Sequence, residues 1–329
     1  MPKNKSRNNI ILAVSALIIV FIGVFIYLNR IVIYDWLMAM SYRAPAEVTA
    51  VEDKIALTDR AKLIFAATHP SMESRVDFNE NCNSHEKEIS VLGCYSNGRI
   101  HVYNIQSAEL NGILESTAAH ELLHAAWERT DGGEKSRLTN YLMDVYNDER
   151  YHELLADDLD TYDQKNRVDE LHSRIGTEIA DLPEELEKHY ARYFTNQDLV
   201  VDFYNNYITP FKELDEEIKA LSAELESANA EIEQKSANYY TRAEQLLKEV
   251  DEFNVCANTA GCFSSNATFL ARRNQLIAEQ TNLDGVYDEV NSLVAHYNSL
   301  VAEYNAHVLR GEELEKVINS NAEIESDIK

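Results

Sequence analysis

The sequence predicts a mainly α fold of the α+β type, in which helices accompany one small sheet. After residue 45, apolar residues recur at spacings of three and four along most of the chain, as amphipathic helices require. Only the stretch from Arg99 to Ile105 alternates like a strand, and Asn97-Gly98 bounds it. We therefore expect a helical protein with a minor β component.

A chain of 329 residues is longer than the chain that a single hydrophobic core usually supports. Its 45% hydrophobic residues are enough to form a sizeable core. The net charge of −26 argues against a nucleic-acid partner. Changes in composition divide the chain into a basic tail over 1–9, a transmembrane segment over 10–30, a folded domain over 45–209, a coiled-coil hairpin over 210–310 and an acidic tail over 311–329.

The first segments predict a membrane anchor. Lys3, Lys5 and Arg7 precede an uncharged apolar run from Ile10 to Leu28, which would span about 28 Å as a helix. A cleaved signal peptide is the alternative, but the run is long and Arg30 follows it without a small-x-small site. We expect an uncleaved, single-pass signal anchor over residues 10–30, with the N-terminus in the cytoplasm and the acidic body outside the cell.

The folded domain should begin with a helix and then pass through a cysteine-flanked loop to the strand. The helices that we expect are Glu47 to about Ala67; Leu110 to Trp127, ended by Gly132 and Gly133; Lys135 to Tyr162; Gln164 to Ile175; and one that Pro183 opens and that runs past Tyr193.

Four cysteines predict two local disulfides. Cys82 and Cys94 flank one short polar segment, and Cys256 and Cys262 flank another, which suits an oxidising compartment. Free buried thiols are the alternative. No pair has CxxC spacing, which argues against a cysteine metal site.

The helix from Leu110 carries the pentapeptide His120-Glu121-Leu122-Leu123-His124. Imidazoles four residues apart share one helix face and can bind one Zn²⁺, while the adjacent Glu121 can take a proton from a bound water. The strand that precedes the helix would lie along the cleft, where an extended substrate can pair with it. The competing interpretation is a surface helix that carries two histidines by chance.

The zinc ion of a peptidase needs a third protein ligand and a fourth coordination position that is open to water. A metzincin would have glycine and histidine where this chain has Trp127 and Thr130, so we expect a glutamate from a later helix, the gluzincin arrangement. The candidates, in order of preference, are Glu170, Glu178 and Glu153.

Short patterns set this order. Asp169 to Ser173 resembles the NExxS part of the thermolysin-type pattern, although Asp169 replaces asparagine and Arg174 replaces the final aspartate. Glu178 lies at a predicted helix end, with an acidic residue three positions later. Glu153 opens a segment that resembles the ExxAD pattern of membrane zinc peptidases.

Together these motifs resemble bacterial membrane-anchored metallopeptidases of the gluzincin type, over about residues 75–210. The matching blocks are Gly93-Cys94-Tyr95, Arg99 to Tyr103, Thr117 to Trp127, Glu170 to Glu178 and Leu182-Pro183. The resemblance implies a zincin-like fold over 45–209 and zinc-dependent hydrolysis of a peptide or protein substrate, and it indicates no particular substrate.

Zinc chemistry would then assign roles to individual residues. Zn²⁺ lowers the pKa of its water, and Glu121 accepts the proton and returns it to the leaving amine. His172, His189 and Tyr190 are candidate oxyanion stabilisers, each with a structural role as the alternative. His101, on the strand that should form the sheet edge, either lines the cleft or is simply exposed.

The last third predicts two long helices. Apolar residues step by three and four from Phe211 to Phe253 and again from Tyr287 to Val308, and a polar loop from Asn254 to Asn266 separates them. We expect an antiparallel coiled-coil hairpin pinched by Cys256–Cys262; a parallel dimer is the alternative. It would either recruit a cell-envelope protein or act as a rigid spacer, and the tail over 311–329 should fray.

The two function classes that remain are a membrane-anchored extracytoplasmic zinc endopeptidase and a non-catalytic cell-envelope scaffold that acts through its coiled coil. Intact His120, Glu121 and His124 favour the enzyme, because a scaffold has no need of a proton acceptor beside two ligands.

Overall fold

The computed structural model describes residues 3–82, 91–159 and 164–320, with side chains except those of residues 3–11, 13, 153, 157, 158, 164 and 165. The described residues form two compact units. The N-terminal unit comprises Met1–Pro210 with Glu315–Lys329, and the hairpin unit comprises Phe211–Leu314. The predicted acidic tail beyond residue 320 lies outside the described residues.

Helices dominate the described chain and accompany three short strands, which confirms the mainly α prediction with a small sheet. The elements are α1 (Lys3–Leu28), α2 (Arg30–Ser41), α3 (Ala46–Lys54), α4 (Asp59–Ala67), β1 (Ser71–Glu73), α5 (Arg75–Asn81), β2 (Gly93–Ser96), β3 (Arg99–Tyr103), α6 (Ile113–Arg129), α7 (Gly132–Tyr146), α8 (Glu149–Leu159), α9 (Gln164–Glu178), α10 (Glu184–Tyr190), α11 (Gln197–Ala257) and α12 (Asn266–Ile318).

The sheet has the order β1-β3-β2, with β3 parallel to β1 and antiparallel to β2. Asn97 and Gly98, with φ values of 52° and 75°, form the tight turn between β2 and β3. The predicted edge position of the Arg99–Ile105 strand is wrong, because β3 pairs on both sides, and β1 and β2 form the two edges of the described sheet. His101 is therefore buried, and its Nδ1 lies 2.6 Å from Glu73 Oε1.

Helix α6 lies at the centre of the N-terminal unit and packs against α9, β2, β3 and α4. Ala118, Ala119 and Leu122 on α6 have no exposed surface. Gly176 lets α9 approach closely, because a Cβ at that position would lie 2.5 Å from Leu123 Cδ1 and 2.5 Å from Tyr190 Cε1. Helix α6 is thus held on several sides by apolar contacts.

Several predicted helices are interrupted where the chain turns. The helix expected over 47–67 divides at Ala56, whose φ is 48°, and Thr58 then caps α4 by accepting a hydrogen bond from the Ala61 amide. Gly132 and Gly133 do not end α6; they form the first turn of α7, which the Asp131 carboxylate caps.

Two later boundaries also differ. The helix expected over 135–162 divides into α7 and α8 at residues 147–148, where Asp148 accepts a hydrogen bond from the Arg150 amide. Helix α10 ends at Tyr190 and not beyond Tyr193, because Tyr193 and Phe194 turn back to pair with the segment before α4.

Within the described residues, each helix taken singly falls short of the length or the apolarity that crossing a membrane demands. Val14–Leu28 and Arg30–Ser41 meet both requirements only as a pair, and they are bent by 72° relative to each other.

In the hairpin unit, α11 and α12 run side by side in opposite directions. Ion pairs connect Lys235 to Glu289, Arg242 to Glu279 and Arg272 to Glu249, so residue numbers rise on one helix as they fall on the other. The predicted disulfides Cys82–Cys94 and Cys256–Cys262 are both present, and the second closes the turn between the two helices.

Candidate metal centre

Helices α6 and α9 bring His120, His124 and Glu170 to one point. His120 Nε2 lies 3.1 Å from His124 Nε2. The two carboxylate oxygens of Glu170 lie 3.4 Å from His120 Nε2 and 3.3 Å from His124 Nε2. Of the three glutamates considered as third ligand, the structure places Glu170 with the histidines.

These distances fit a zinc ion. Ligand atoms at about 2.0–2.2 Å from a tetrahedral metal lie about 3.3–3.5 Å from one another. The two histidine nitrogens are 3.1 Å apart, and the two different oxygens of Glu170 lie 3.4 Å and 3.3 Å from them; one ligand atom from each residue lies within 4.8 Å of the other two. A single small cation could therefore contact all three side chains without rearrangement of the helices.

Asp169 orients one of the histidines. Its Oδ1 lies 2.9 Å from His124 Nδ1, and because a carboxylate oxygen can only accept, Nδ1 carries the proton. The lone pair of the neutral ring is then on Nε2, which faces His120 and Glu170. In zinc sites, a histidine that binds the metal through one ring nitrogen usually donates a hydrogen bond from the other ring nitrogen, often to a carboxylate. Sequence reasoning did not assign this role to Asp169, although its position next to Glu170 was the available signal.

The pKa values of the three side chains reflect their proximity. Burial lowers the pKa of His124, but hydrogen bonds to Asp169 and Glu170 outweigh burial, so its pKa stands well above the usual value. Burial also opposes the charged form of Glu170, yet the charges of His120 and His124 hold its pKa well below the usual range. The cluster therefore favours a negative Glu170 facing positive charge on the histidine side, a point where a cation would be stabilised.

Glu121 lies under the edge strand β2. A Cβ at Gly93 would lie 2.8 Å from Glu121 Oε1 and 2.6 Å from Thr117 Cγ2, so only glycine fits there. Glu121 is 5% exposed, and burial raises its pKa above the usual value although the two histidines lower it. A carboxylate with a raised pKa is suited to taking up a proton near neutral pH.

A cleft of about 820 Å³ opens above these residues. One wall is β2 with the residues before it, and the opposite wall comes from α9 and the first turns of α11. Glu178 lies in this second wall, where Arg174 binds it at 3.0 and 3.1 Å, and the structure does not place it with the histidines. Tyr204 and Tyr207 stand beside this ion pair, and no sequence pattern pointed to either residue.

The three candidate oxyanion stabilisers lie elsewhere. His172, His189 and Tyr190 are at most 3% exposed and belong to the core beneath α6, outside the residues that line the cleft. His172 Nε2 lies 2.8 Å from His189 Nε2, and Tyr190 donates to the His172 carbonyl at 2.8 Å. Burial holds the pKa of His172 well below its usual value and lowers that of His189 to about 4. These residues are placed for packing, and the structure does not bring them to the cleft.

The remaining candidate, Glu153, belongs to α8, but its side chain lies outside the described residues.

Comparisons with protein-family models, with curated proteins and with solved structures find no match for this chain. The gluzincin resemblance therefore stays a prediction from the sequence.

Proposed function

We propose that the protein is a zinc-dependent endopeptidase with a zincin-like catalytic domain, attached to the membrane through residues 10–30 and acting outside the cell. The observation that carries this proposal is the spacing of His120, His124 and Glu170, which matches the ligand spacing of one zinc ion beside a buried Glu121.

Each residue of the cluster has a defined task. His120, His124 and Glu170 would hold the ion, and Asp169 keeps the His124 ring in the tautomer that metal binding requires. Zinc, when bound, supplies Lewis acidity to a water molecule and to the scissile carbonyl. Glu121 accepts the proton of the attacking water and passes it to the leaving amine.

The cleft suits an extended peptide. Among the residues that the structure describes, strand β2 is bonded to β3 on one side only, so the backbone of its other side can pair with a substrate strand above Glu121. The cleft volume of about 820 Å³ accommodates several residues of a peptide.

Location and partners follow from other parts of the chain. The apolar surface of α1 suits a membrane anchor, and two disulfides suit an oxidising compartment outside the cytosol. The antiparallel helices of the hairpin unit carry the heptad-like apolar spacing of a coiled coil, which we assign to docking of a cell-envelope protein.

The deciding experiment combines metal content with proteolysis. The full chain is purified in detergent, its zinc is quantified, and cleavage of an unfolded protein substrate is compared between the wild type, Glu121→Gln and Glu149→Gln. We expect Glu121→Gln to keep zinc and to lose activity by about 10²–10⁴-fold, because only proton transfer is removed.

Glu149→Gln is the matched control, since it makes the same change at an exposed glutamate at the start of α8, which does not line the cleft. Purified protein without zinc, or equal activity in all three forms, would refute the peptidase and favour the non-catalytic scaffold.

A further inference from the structure

The outward face of α2 is apolar. Tyr34, Trp36, Leu37 and Met40 are 55–66% exposed. On a helix that faces water, this side would carry the polar residues. The exposed side chains therefore indicate a surface that is covered in the working protein.

The inward face of α2 carries the charge instead. Asp35 is 3% exposed, and its carboxylate accepts from Arg129 Nε at 3.0 and 3.1 Å, at the end of α6. This polarity, with the acid inside and the large apolar groups outside, is the reverse of a water-facing helix. A helix of this polarity is suited to an apolar environment on its outward face.

The apolar surface also extends beyond α2. Ile31 and Val32 line a groove of about 310 Å³ with Leu63 and Ile64 of α4 on its other side. In the other direction α1 precedes α2 directly and exposes apolar side chains such as Phe21 and Leu28, at 72% and 71%. Apolar side chains are therefore exposed along consecutive stretches of α1 and α2, whereas on the α4 side the groove is also lined by Asp59 and Arg60.

The bend between the helices fits the geometry of a membrane surface. Val14–Leu28 and Arg30–Ser41 are bent by 72°. If the first crosses the bilayer near its normal, the second lies close to the bilayer plane. Tryptophan and tyrosine are enriched at that depth because their rings are apolar and their N–H or O–H remains hydrated.

We propose that α2 lies in the lipid interface of the outer leaflet, with Tyr34, Trp36, Leu37 and Met40 inserted among the lipids to a depth of about 5–10 Å. This placement rests on the membrane attachment in the proposed function, and it adds a second contact beyond the anchor. Its partner is the lipid surface itself.

The placement specifies the substrate class. Arg129, which holds Asp35, follows His124 by five residues on α6, a rise of about 7.5 Å. The ion pair therefore fixes the metal helix close to α2 and to the lipid. Peptide segments that lie near the membrane surface are the substrates that can reach the cleft.

The chain contains two tryptophans, so fluorescence can report on α2 specifically. Full-length protein is reconstituted into phosphatidylcholine and phosphatidylglycerol vesicles, and Trp127→Phe leaves Trp36 as the single emitter. Quenchers are aqueous iodide, lipids with a nitroxide near the headgroup, and lipids with a nitroxide near the bilayer centre. We expect the headgroup-level nitroxide to quench Trp36 about twofold more than either other quencher.

Trp36→Phe is the control, because the remaining Trp127 is 6% exposed inside the protein and should respond to none of the quenchers. If Trp127→Phe does not fold, the difference between the wild type and Trp36→Phe gives the same signal.

The other outcomes each overturn the placement. Quenching by iodide alone, while the protein floats with the vesicles, would put α2 in water and leave the anchor intact. Strongest quenching from the bilayer centre would make α2 part of a broken span, and no quenching would indicate cover by protein. A chain that does not float with vesicles would refute the membrane attachment as well, while the zinc chemistry would still be judged by its own assay.

Discussion

Gly93 controls how closely strand β2 can approach the candidate catalytic carboxylate. No side chain larger than hydrogen fits, because a Cβ would lie 2.8 Å from Glu121 Oε1 and 2.6 Å from Thr117 Cγ2. The geometry of the site thus depends on a residue that offers no chemistry of its own.

We expect Gly93→Ala to lower peptidase activity by about 10–100-fold with zinc retained, because displacement of Glu121 by about 1 Å disturbs proton transfer. Activity and metal content of the purified variant measure this. Gly132→Ala is the control, since a Cβ there meets no atom within 4 Å. Equal activity in both variants would mean that β2 does not position Glu121.

The third ligand can be tested by one isosteric change at two positions. Glu170→Gln should lower zinc affinity by at least about 100-fold, because the neutral amide is a poor ligand between two imidazoles. Glu178→Gln should retain zinc, since its carboxylate binds Arg174. Competitive titration with a zinc-binding dye compares the affinities, and loss of zinc in Glu178→Gln alone would reverse the assignment.

At this scale the sequence predicted which side chains come together better than it predicted their surroundings. His120, Glu121 and His124 follow from helix periodicity, since neighbours on one helix face need no knowledge of the fold. Glu170 ranks first among the three glutamates that are candidates for the third ligand. Only the structure shows that Glu178 instead binds Arg174. Tyr207 lines the cleft from α11, which α10 separates from α9 in the sequence. No local sequence pattern encodes such a contact.

Among the elements, α2 and α6 are connected by a buried ion pair. Asp35 is 3% exposed, and the Arg129 side chain is 8% exposed. Arg129 also donates to the Tyr95 hydroxyl on β2 at 3.1 Å, so one guanidinium joins α2, α6 and the cleft strand.

We expect Asp35→Ala to lower the free energy of unfolding by about 3–5 kcal/mol, because Arg129 would remain charged and buried without a partner. Chemical denaturation in detergent measures the change. The double variant Asp35→Leu with Arg129→Leu should recover much of the loss, since it removes both charges. A double variant as unstable as the single one would show that the charge itself is not the cause.

Element types were easier to predict than their ends. Apolar spacing identified the helices, but it continues through Ala56 and through residues 147–148, where capping side chains interrupt the backbone. The β3 strand was recognised from alternation, yet its central position depends on β1, a strand of three residues that is too short to leave a pattern.

On the scale of the whole molecule, the described residues of the candidate metal site belong to the N-terminal unit alone. All of the residues that line the cleft lie before Pro210. The hairpin unit is held together by its own ion pairs, such as Arg242–Glu279, and by its own disulfide, Cys256–Cys262.

Zinc should therefore stabilise the N-terminal unit. Free zinc at about 1,000 times Kd adds about 4 kcal/mol, because the ion binds the folded state and not the unfolded one. Scanning calorimetry should show an upward shift of the transition by about 10 °C. The Glu170→Gln variant serves as control, and an equal shift in that variant would mean that zinc acts at another place.

The disulfide between Cys82 and Cys94 has a consequence for the cell that makes the protein. Cys94 lies in β2, the wall of the cleft that covers Glu121, and the bond ties this strand to the end of α5. Thiol reductants in the cytosol keep such cysteine pairs reduced. Under the proposed topology, a newly made chain gains this tether only after it has crossed the membrane. Completion of the cleft is then coupled to export, which would spare cytoplasmic proteins from the proposed peptidase.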